Sequence, residues 1–263
     1  MSITNVSDYI LEVSTIISTY GENTTIVYRG EVNIFPTPCQ PNIFRKDILK
    51  KNPFFEKNLF DEMTANKLTD GTSYLEKAID AQHGGFPSRL LDVTYNSLIA
   101  LYFATTPSPN KSEDDEDGKD GMVYIYSFDK LFCPSGKNIN TNYNSIINRK
   151  DSWLIAHTIF QKNHKLIDHI KLNNRIVAQQ GALILFQGDD VCPISNARYR
   201  KILIPSTSKK LLRRELKTLF GLHTGFIYPE PTNLVTDISN KSYNIDNSEF
   251  NLENELNLIL NNL

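Results

Sequence analysis

Apolar positions return along this chain in two periods, and the changes of period mark the elements. From Ser7 to Tyr20 apolar residues, among them Ile10 and Ile17, recur at helical spacing. Ser7 is placed to cap that helix, and Gly21 to end it in the left-handed conformation. The run Thr24-Thr25-Ile26-Val27-Tyr28 is β-branched and short, which predicts a strand. Residues 32–45 hold Pro36, Pro38 and Pro41 and predict an irregular loop. Residues 46–81 are mostly helical in pattern, anchored by Phe54, Phe55, Leu59, Phe60 and Met63. Ser97–Ala104 is almost wholly apolar, which predicts a buried helix stopped by Pro107 and Pro109. Strands follow at Gly121–Phe128, Ala182–Phe186 and Lys201–Ile204, with a helical pattern over 151–178. Ser206-Thr207-Ser208 offers N-caps for a helix reaching Phe220, and Gly221 ends it. A tail from Ser248 places Leu252, Leu256, Ile259 and Leu263 on one helix face. Helices and strands alternate without βαβ regularity, so the expected class is α+β.

Composition narrows the picture. The chain has 263 residues, 40% of them hydrophobic and 22% charged, which suits a globular fold with a real core. The formal net charge of -2 excludes a protein that grips nucleic acid by bulk charge. No run approaches the roughly 18 apolar residues of a membrane span. The first residues carry no basic and then apolar leader pattern. Cys39, Cys133 and Cys192 are three and far apart, which favours reduced thiols and a cytoplasmic setting over a disulfide framework. The acidic run Glu113–Asp120 reads as a solvated loop, since it lacks the ligand spacing of an EF-hand.

The densest chemistry lies in residues 82–96, Gln82-His83-Gly84-Gly85-Phe86-Pro87-Ser88-Arg89-Leu90-Leu91-Asp92-Val93-Thr94-Tyr95-Asn96. An amide, an imidazole, a guanidinium, a carboxylate and a hydroxyl share a turn-rich segment that the apolar helix behind it can hold in place. Each residue also has a plain structural reading. Arg29 can pair with Asp92 or Glu31. Arg89 can brace the turn, Asp92 can cap the helix, and His83 can be a satisfied loop histidine. Metal chemistry is not indicated, because His164 and His169 are five apart and no paired-cysteine spacing exists. Phosphate-loop, dinucleotide-fingerprint and nucleophile-elbow motifs are missing as well.

Several of these segments together resemble the FRG domain. They are Tyr28-Arg29-Gly30-Glu31, Gln82-His83-Gly84, Pro87–Thr94 and Ala100-Leu101-Tyr102-Phe103-Ala104, then Asn174–Leu183, Leu219-Phe220-Gly221 and Ile227-Tyr228-Pro229. The resemblance spans about residues 20–240 in the family's order. Tyr28 stands where the family has Phe, Gly85 for an aromatic, Ser88 for Thr and Val93 for Trp. It implies an N-terminal helix over 1–22, an FRG domain over 23–240 and a tail helix over 241–263.

The motif order is similar, more distantly, to NAD-dependent ADP-ribosyltransferases of the Arg-Ser-Glu type. That likeness implies a split mixed β-sheet core with surrounding helices. It implies NAD as substrate and no metal. Tyr28, Arg29, Gly30, Gln82, Arg89 and Thr94 would hold NAD. The catalytic group would be drawn from Arg29, His83, Asp92 and Gln180. Where those enzymes carry a catalytic Glu, this chain has Gln179 and Gln180, and a glutamine cannot act as a base. Asp92 is then the first candidate carboxylate and Glu31 the second, with His83 as base. On a strand only one of the two glutamines can face the site, and Gln180 is the expected one.

The helix after Ser208 predicts an outward basic face of Lys209, Arg213 and Lys217, the reason to expect an RNA or DNA acceptor. Such an activity suits a toxin or anti-phage effector, with an antitoxin or chaperone bound through the tail. Two other readings stay open: a nucleotide or nucleic-acid binding module without turnover, and a nuclease or other hydrolase using His83 and Asp92.

Overall fold

The computed structural model describes every residue except 1, 46, 110, 113, 151–155, 169–173, 244, 246–251, 262 and 263. In chain order the elements are α1 (Val6–Ile17), β1 (Thr25–Glu31), α2 (Ile48–Lys51), α3 (Phe55–Ala65), α4 (Tyr74–His83) and β2 (Leu90–Thr94). Then come α5 (Ser97–Thr105), α6 (Asp114–Asp117), β3 (Gly121–Phe128), β4 (Leu131–Phe132), α7 (Lys137–Ile147) and α8 (Thr158–Gln161). The last are β5 (Lys165–Ile167), α9 (Asn174–Gln179), β6 (Gly181–Leu185), β7 (Tyr199–Ile204), α10 (Lys209–Phe220), α11 (Thr224–Ile227), α12 (Pro231–Tyr243) and α13 (Leu252–Asn261). The fold is mixed α+β. No described helix is long and apolar enough to cross a membrane.

The strands form one seven-stranded sheet in the order β4-β5-β6-β2-β1-β3-β7. Neighbours run antiparallel except β4 and β5. The joint at its centre is thin. β1 matches β3 over seven register pairs, Thr25 through Glu31, and β2 matches β6 over five, Leu90 through Thr94. β1 and β2 share only the pair Tyr28–Thr94. The expected split in the sheet is therefore a seam within one continuous sheet.

Helices cover one face in two groups. α1, α5 and α10 pack over β1, β3 and β7 through Tyr9, Leu101, Ile125, Ile202, Leu212 and Leu216. α3, α4 and α7 pack over β2, β5 and β6 through Phe60, Leu75, Ile79, Leu90, Tyr143 and Leu183. The other face buries Val27, Leu91, Val93, Tyr124, Tyr126 and Ile184 under loop residues such as Cys39 and Ile194.

α5 lies so close to the sheet that two strand positions must be glycine. A Cβ on Gly30 would come within 1.8 Å of the Ala100 carbonyl, and one on Gly121 within 2.1 Å of the Ala104 carbonyl. Ala100 and Ala104 are the small partners on the helix side. Asn96 caps α5, its side-chain oxygen accepting from the Leu98 and Ile99 N–H groups.

Several expectations are corrected here. α1 is capped by Asn5, not Ser7, and ends at Ile17. The segment read as a polar turn contains β2, because Leu90, Leu91 and Val93 pair in a buried strand beside β6. The helical pattern over 151–178 is broken by β5, which the sheet recruits; residues 151–155 and 169–173 of that segment lie outside the described residues. The acidic insert is not wholly a solvated loop. Glu116 is buried and accepts from Lys119, and Asp117 meets Arg213. The tail helix is α13, with residues 246–251 before it outside the described set.

Candidate functional site

The seam gathers the chemistry. Past the Tyr28–Thr94 rung no further register pair joins β1 and β2. Successive side chains on β1 take opposite faces, so Tyr28 and Gly30 lie toward the helices while Arg29 and Glu31 lie toward the loops. Arg29 bridges the opening: its Nη1 donates to the Asp92 main-chain oxygen at 2.7 Å and its Nε to Glu31 Oε1 at 3.2 Å. The same Glu31 oxygen accepts the Cys39 N–H at 3.0 Å. Burial works against the Arg29 charge, but the Glu31 and Asp92 carboxylates outweigh it and hold the guanidinium protonated. The plain reading of Arg29 as a cation paired with Glu31 is met.

A cleft of about 200 Å³ opens over this seam, lined by Tyr28, Arg29, Asp92, Thr94, Phe103, Arg175, Gln179 and Tyr228 among others. Asp92 Oδ2 accepts from Gln82 Nε2 at 2.8 Å, so an amide rather than a cation orients the carboxylate. Arg175 enters from α9 and lies over the Tyr228 ring, 4.9 Å from its centroid. Its Nε is buried and has no hydrogen-bond partner among the described residues. Thr94 fixes the end of α9: its hydroxyl donates to the Gln179 carbonyl at 2.7 Å and accepts the Asn96 N–H at 3.0 Å. Gln179 Nε2 donates to the Ile227 carbonyl at 3.2 Å. Thr94 therefore shapes the cleft wall with a hydroxyl already engaged on both sides.

His83, the last residue of α4, lines a neighbouring groove of about 580 Å³ together with Asp70, Glu76 and Asp80. Burial lowers its pKa from the ordinary 6.5, against the pull of Asp92 in the other direction. The ring is neutral near pH 7 and can accept a proton.

The structure brings together Tyr28, Arg29, Gly30, Asp92 and Thr94, with Gln82 behind Asp92. Others are placed elsewhere. Arg89 is 2% exposed, and its donors go to Glu56 and to the carbonyls of Phe186, Gln187 and Gly188. It is a brace inside the fold and not a cofactor contact. Gln180 is an exposed turn residue at φ 44 whose carbonyl accepts the Tyr95 N–H. The strand begins only at Gly181, so the glutamine at the cleft is Gln179. Glu31 lies on the far side of Arg29 and is 4% exposed.

The basic face expected on α10 is largely taken up by the fold. Lys209 is fully buried, donating to the carbonyls of Val32 and Glu116. Arg213 holds Asp117 through both terminal nitrogens at 2.7 Å. Lys217 remains exposed. The acidic insert that reads as a separate loop in the sequence is the partner of this helix.

Arg175 and Phe103 are not among the residues the sequence singles out, and Tyr228 is singled out only as a stacking ring beside the basic helix. All three sit inside the segments that carry the family resemblance, and that was the available signal. Their convergence depends on α9 and α11 folding over the seam, which local pattern does not encode.

Residues 24–114 match the family model of the FRG domain. The match holds β1, β2 and α5, and with them the Arg29 and Asp92 half of the cleft; Arg175, Gln179 and Tyr228 lie beyond it. No curated protein and no solved structure matches the chain.

Proposed function

With an FRG domain over residues 24–114 as its premise, we propose that this chain uses NAD as a substrate and transfers ADP-ribose to a macromolecule. One observation carries the reading: Arg29 and Arg175 converge on a single cleft that also holds the Asp92 carboxylate. Guanidinium groups bind phosphate oxygens through paired donors, and the Arg175 Nε has a donor to give. Phe103, Tyr28 and Tyr228 supply ring faces for a flat group. A volume of about 200 Å³ accommodates part of a dinucleotide, so the rest lies across the mouth.

In this reading the N-glycosidic bond breaks and nicotinamide leaves with the bonding electrons. Positive charge develops at the ribose C1′ and ring oxygen, where Asp92 stabilises it. The acceptor nucleophile then bonds to C1′, and its proton passes to solvent at the cleft mouth, since His83 lines the neighbouring groove and not the cleft. Gln82 holds Asp92 in place. Of the three cations that favoured a nucleic-acid acceptor, Lys217 is the one left exposed, so the acceptor class is to be read by digestion. The setting proposed is that of a toxin or anti-phage effector, with the α13 tail as the place for a neutralising partner.

A second reading, nucleotide binding without turnover, is favoured by Gln179 standing at the cleft in place of a carboxylate. The test is incubation of the full chain with labelled NAD and cell lysate, followed by protease or nuclease. Label on a macromolecule, nicotinamide release, and loss of both in Asp92→Ala support transfer. Label released by nuclease identifies a nucleic-acid acceptor, and label released by protease a protein. NAD binding that weakens in Arg29→Ala, with no nicotinamide released, gives the second reading. No binding at all sinks both.

A further inference from the structure

A second cavity, of about 320 Å³, lies on the loop-covered face of the sheet. Its floor is a layer of tyrosines. Tyr124 and Tyr126 of β3 stack with ring centroids 6.3 Å apart and planes 15° from parallel. Tyr199, which opens β7, tilts against them at 6.0 and 5.6 Å. Tyr124 and Tyr126 are 3% and 1% exposed, so their rings are held by the core. Phe186 and the stiff rings of Pro38 and Pro193 form the walls.

The lining selects its ligand by chemistry. None of the described lining residues is Lys, Arg, Asp or Glu. Arg45 and Lys201 touch the lining at Thr37 Oγ1 (3.5 Å) and over the Tyr199 ring (5.7 Å) without lining the cavity themselves, so its interior gives a phosphate or an organic cation no direct ion pair. With Tyr124, Tyr126 and Phe186 sealed into the core, the rings open to a partner are Tyr199, Pro38 and Pro193, and these favour a flat group that stacks or meets them edge-on. The amide of Gln40, and the Thr37 hydroxyl that accepts from Arg45 Nη1 at 3.5 Å, give the rim hydrogen-bonding groups that a bare hydrocarbon would leave unused. The volume sits at the low end of small-molecule pockets, the scale of one ring system rather than a dinucleotide.

The position is also set apart from the cleft. Cys39 lines this cavity with its backbone at φ 52, and its N–H binds the Glu31 carboxylate that holds Arg29 from behind. The other oxygen of Glu31 is buried and has no hydrogen-bond partner among the described residues. The wall between the two sites is this Cys39-Glu31-Arg29 chain. We infer that the tyrosine-floored cavity is a binding site for a flat, uncharged heteroaromatic ring of the nucleobase type, separate from the cleft over the seam. The inference does not depend on NAD turnover.

Adenine is the probe, because as a free base it lacks the diphosphate the cleft is proposed to hold. Binding to the full chain is followed by calorimetry, and by fluorine resonances in protein carrying 3-fluorotyrosine. Val191→Trp fills the cavity from its rim, where Val191 is 39% exposed. Tyr199→Leu removes one aromatic wall. Both variants are checked for unchanged circular dichroism and melting temperature. The expected result is adenine binding that shifts the Tyr124, Tyr126 and Tyr199 resonances, with Kd raised at least tenfold by either substitution. Failure of adenine to bind the unaltered chain overturns the inference, as does equal binding to a folded Val191→Trp. Cyclohexanol bound as tightly as adenine also overturns it, since the cavity would then be an unselective apolar void.

Discussion

Arg29, inside β1, and Arg89, just ahead of β2, both lie within the FRG-matched segment, and their surroundings differ in kind. Arg89 is 2% exposed, and its guanidinium faces a buried carboxylate on one side and three carbonyls on the other. Burying a charge so completely requires that each donor find an acceptor within the fold. The Arg29 side chain keeps 23% of its surface exposed and lines a cleft it shares with Arg175. The contrast teaches that residue type at a turn does not reveal a site. Accessible donors facing an open volume do.

The comparison breaks most visibly at Arg89. Arg89→Ala leaves the Glu56 carboxylate buried and unpaired beside Tyr143, and stability falls by about 3–5 kcal/mol in urea unfolding. A loss under ~1 kcal/mol would make that pair no more than a surface contact. Next is Arg213→Ala, which frees Asp117 from α10. Because the pair is about 12–13% exposed and bidentate, a loss of about 1.5–3 kcal/mol is expected in the same measurement. The smallest stability change belongs to Arg175→Ala, within ~0.5 kcal/mol, as its ion partner Glu230 is 3.9 Å away and 42% exposed. The same substitution is expected to weaken NAD binding at least tenfold by calorimetry. That opposition between a stable fold and a lost ligand is what separates the two kinds of arginine.

Acid sharpens the comparison further. His164 is 6% exposed, and burial depresses its pKa from 6.5 despite the Cys192 carbonyl at 2.8 Å. The unfolded chain then takes up a proton at a higher pH than the folded one. Stability is fully present above about pH 6.5 and declines as pH falls through the folded value. The urea midpoint should drop between pH 7 and pH 5, and less steeply in His164→Gln. A midpoint flat across that range would remove His164 from the account.

Much of this was legible in the chain. β1, β3, β6 and α5 follow their apolar runs, and α10 ends at Gly221 in the left-handed conformation as its residue type suggests. What escaped was set at long range. β2 carries an exposed Asp92 among buried neighbours and follows glycines and a proline, so its local pattern reads as a turn. Lys209 belongs to a helix whose spacing puts it on the wet face, yet the acidic insert and the end of β1 close over it. Gln180 loses its expected place because the chain turns at that residue before the strand starts. In each case a contact between segments far apart in sequence overrode a correct local rule.

The single rung between β1 and β2 divides the molecule mechanically. β1, β3 and β7 form one interlocked plate under α5 and α10, and β2, β6 and β5 form another under α4 and α7. Strand pairing across the seam is one rung, against seven and five within the plates, and the halves are otherwise joined by the Arg29–Asp92 bond and the shared core of Val27, Leu91, Val93 and Tyr124. Amide hydrogens should therefore exchange in two cooperative blocks, with Tyr28 and Thr94 at the border. The mouth of the cleft thus lies along the line where the sheet's own pairing is thinnest.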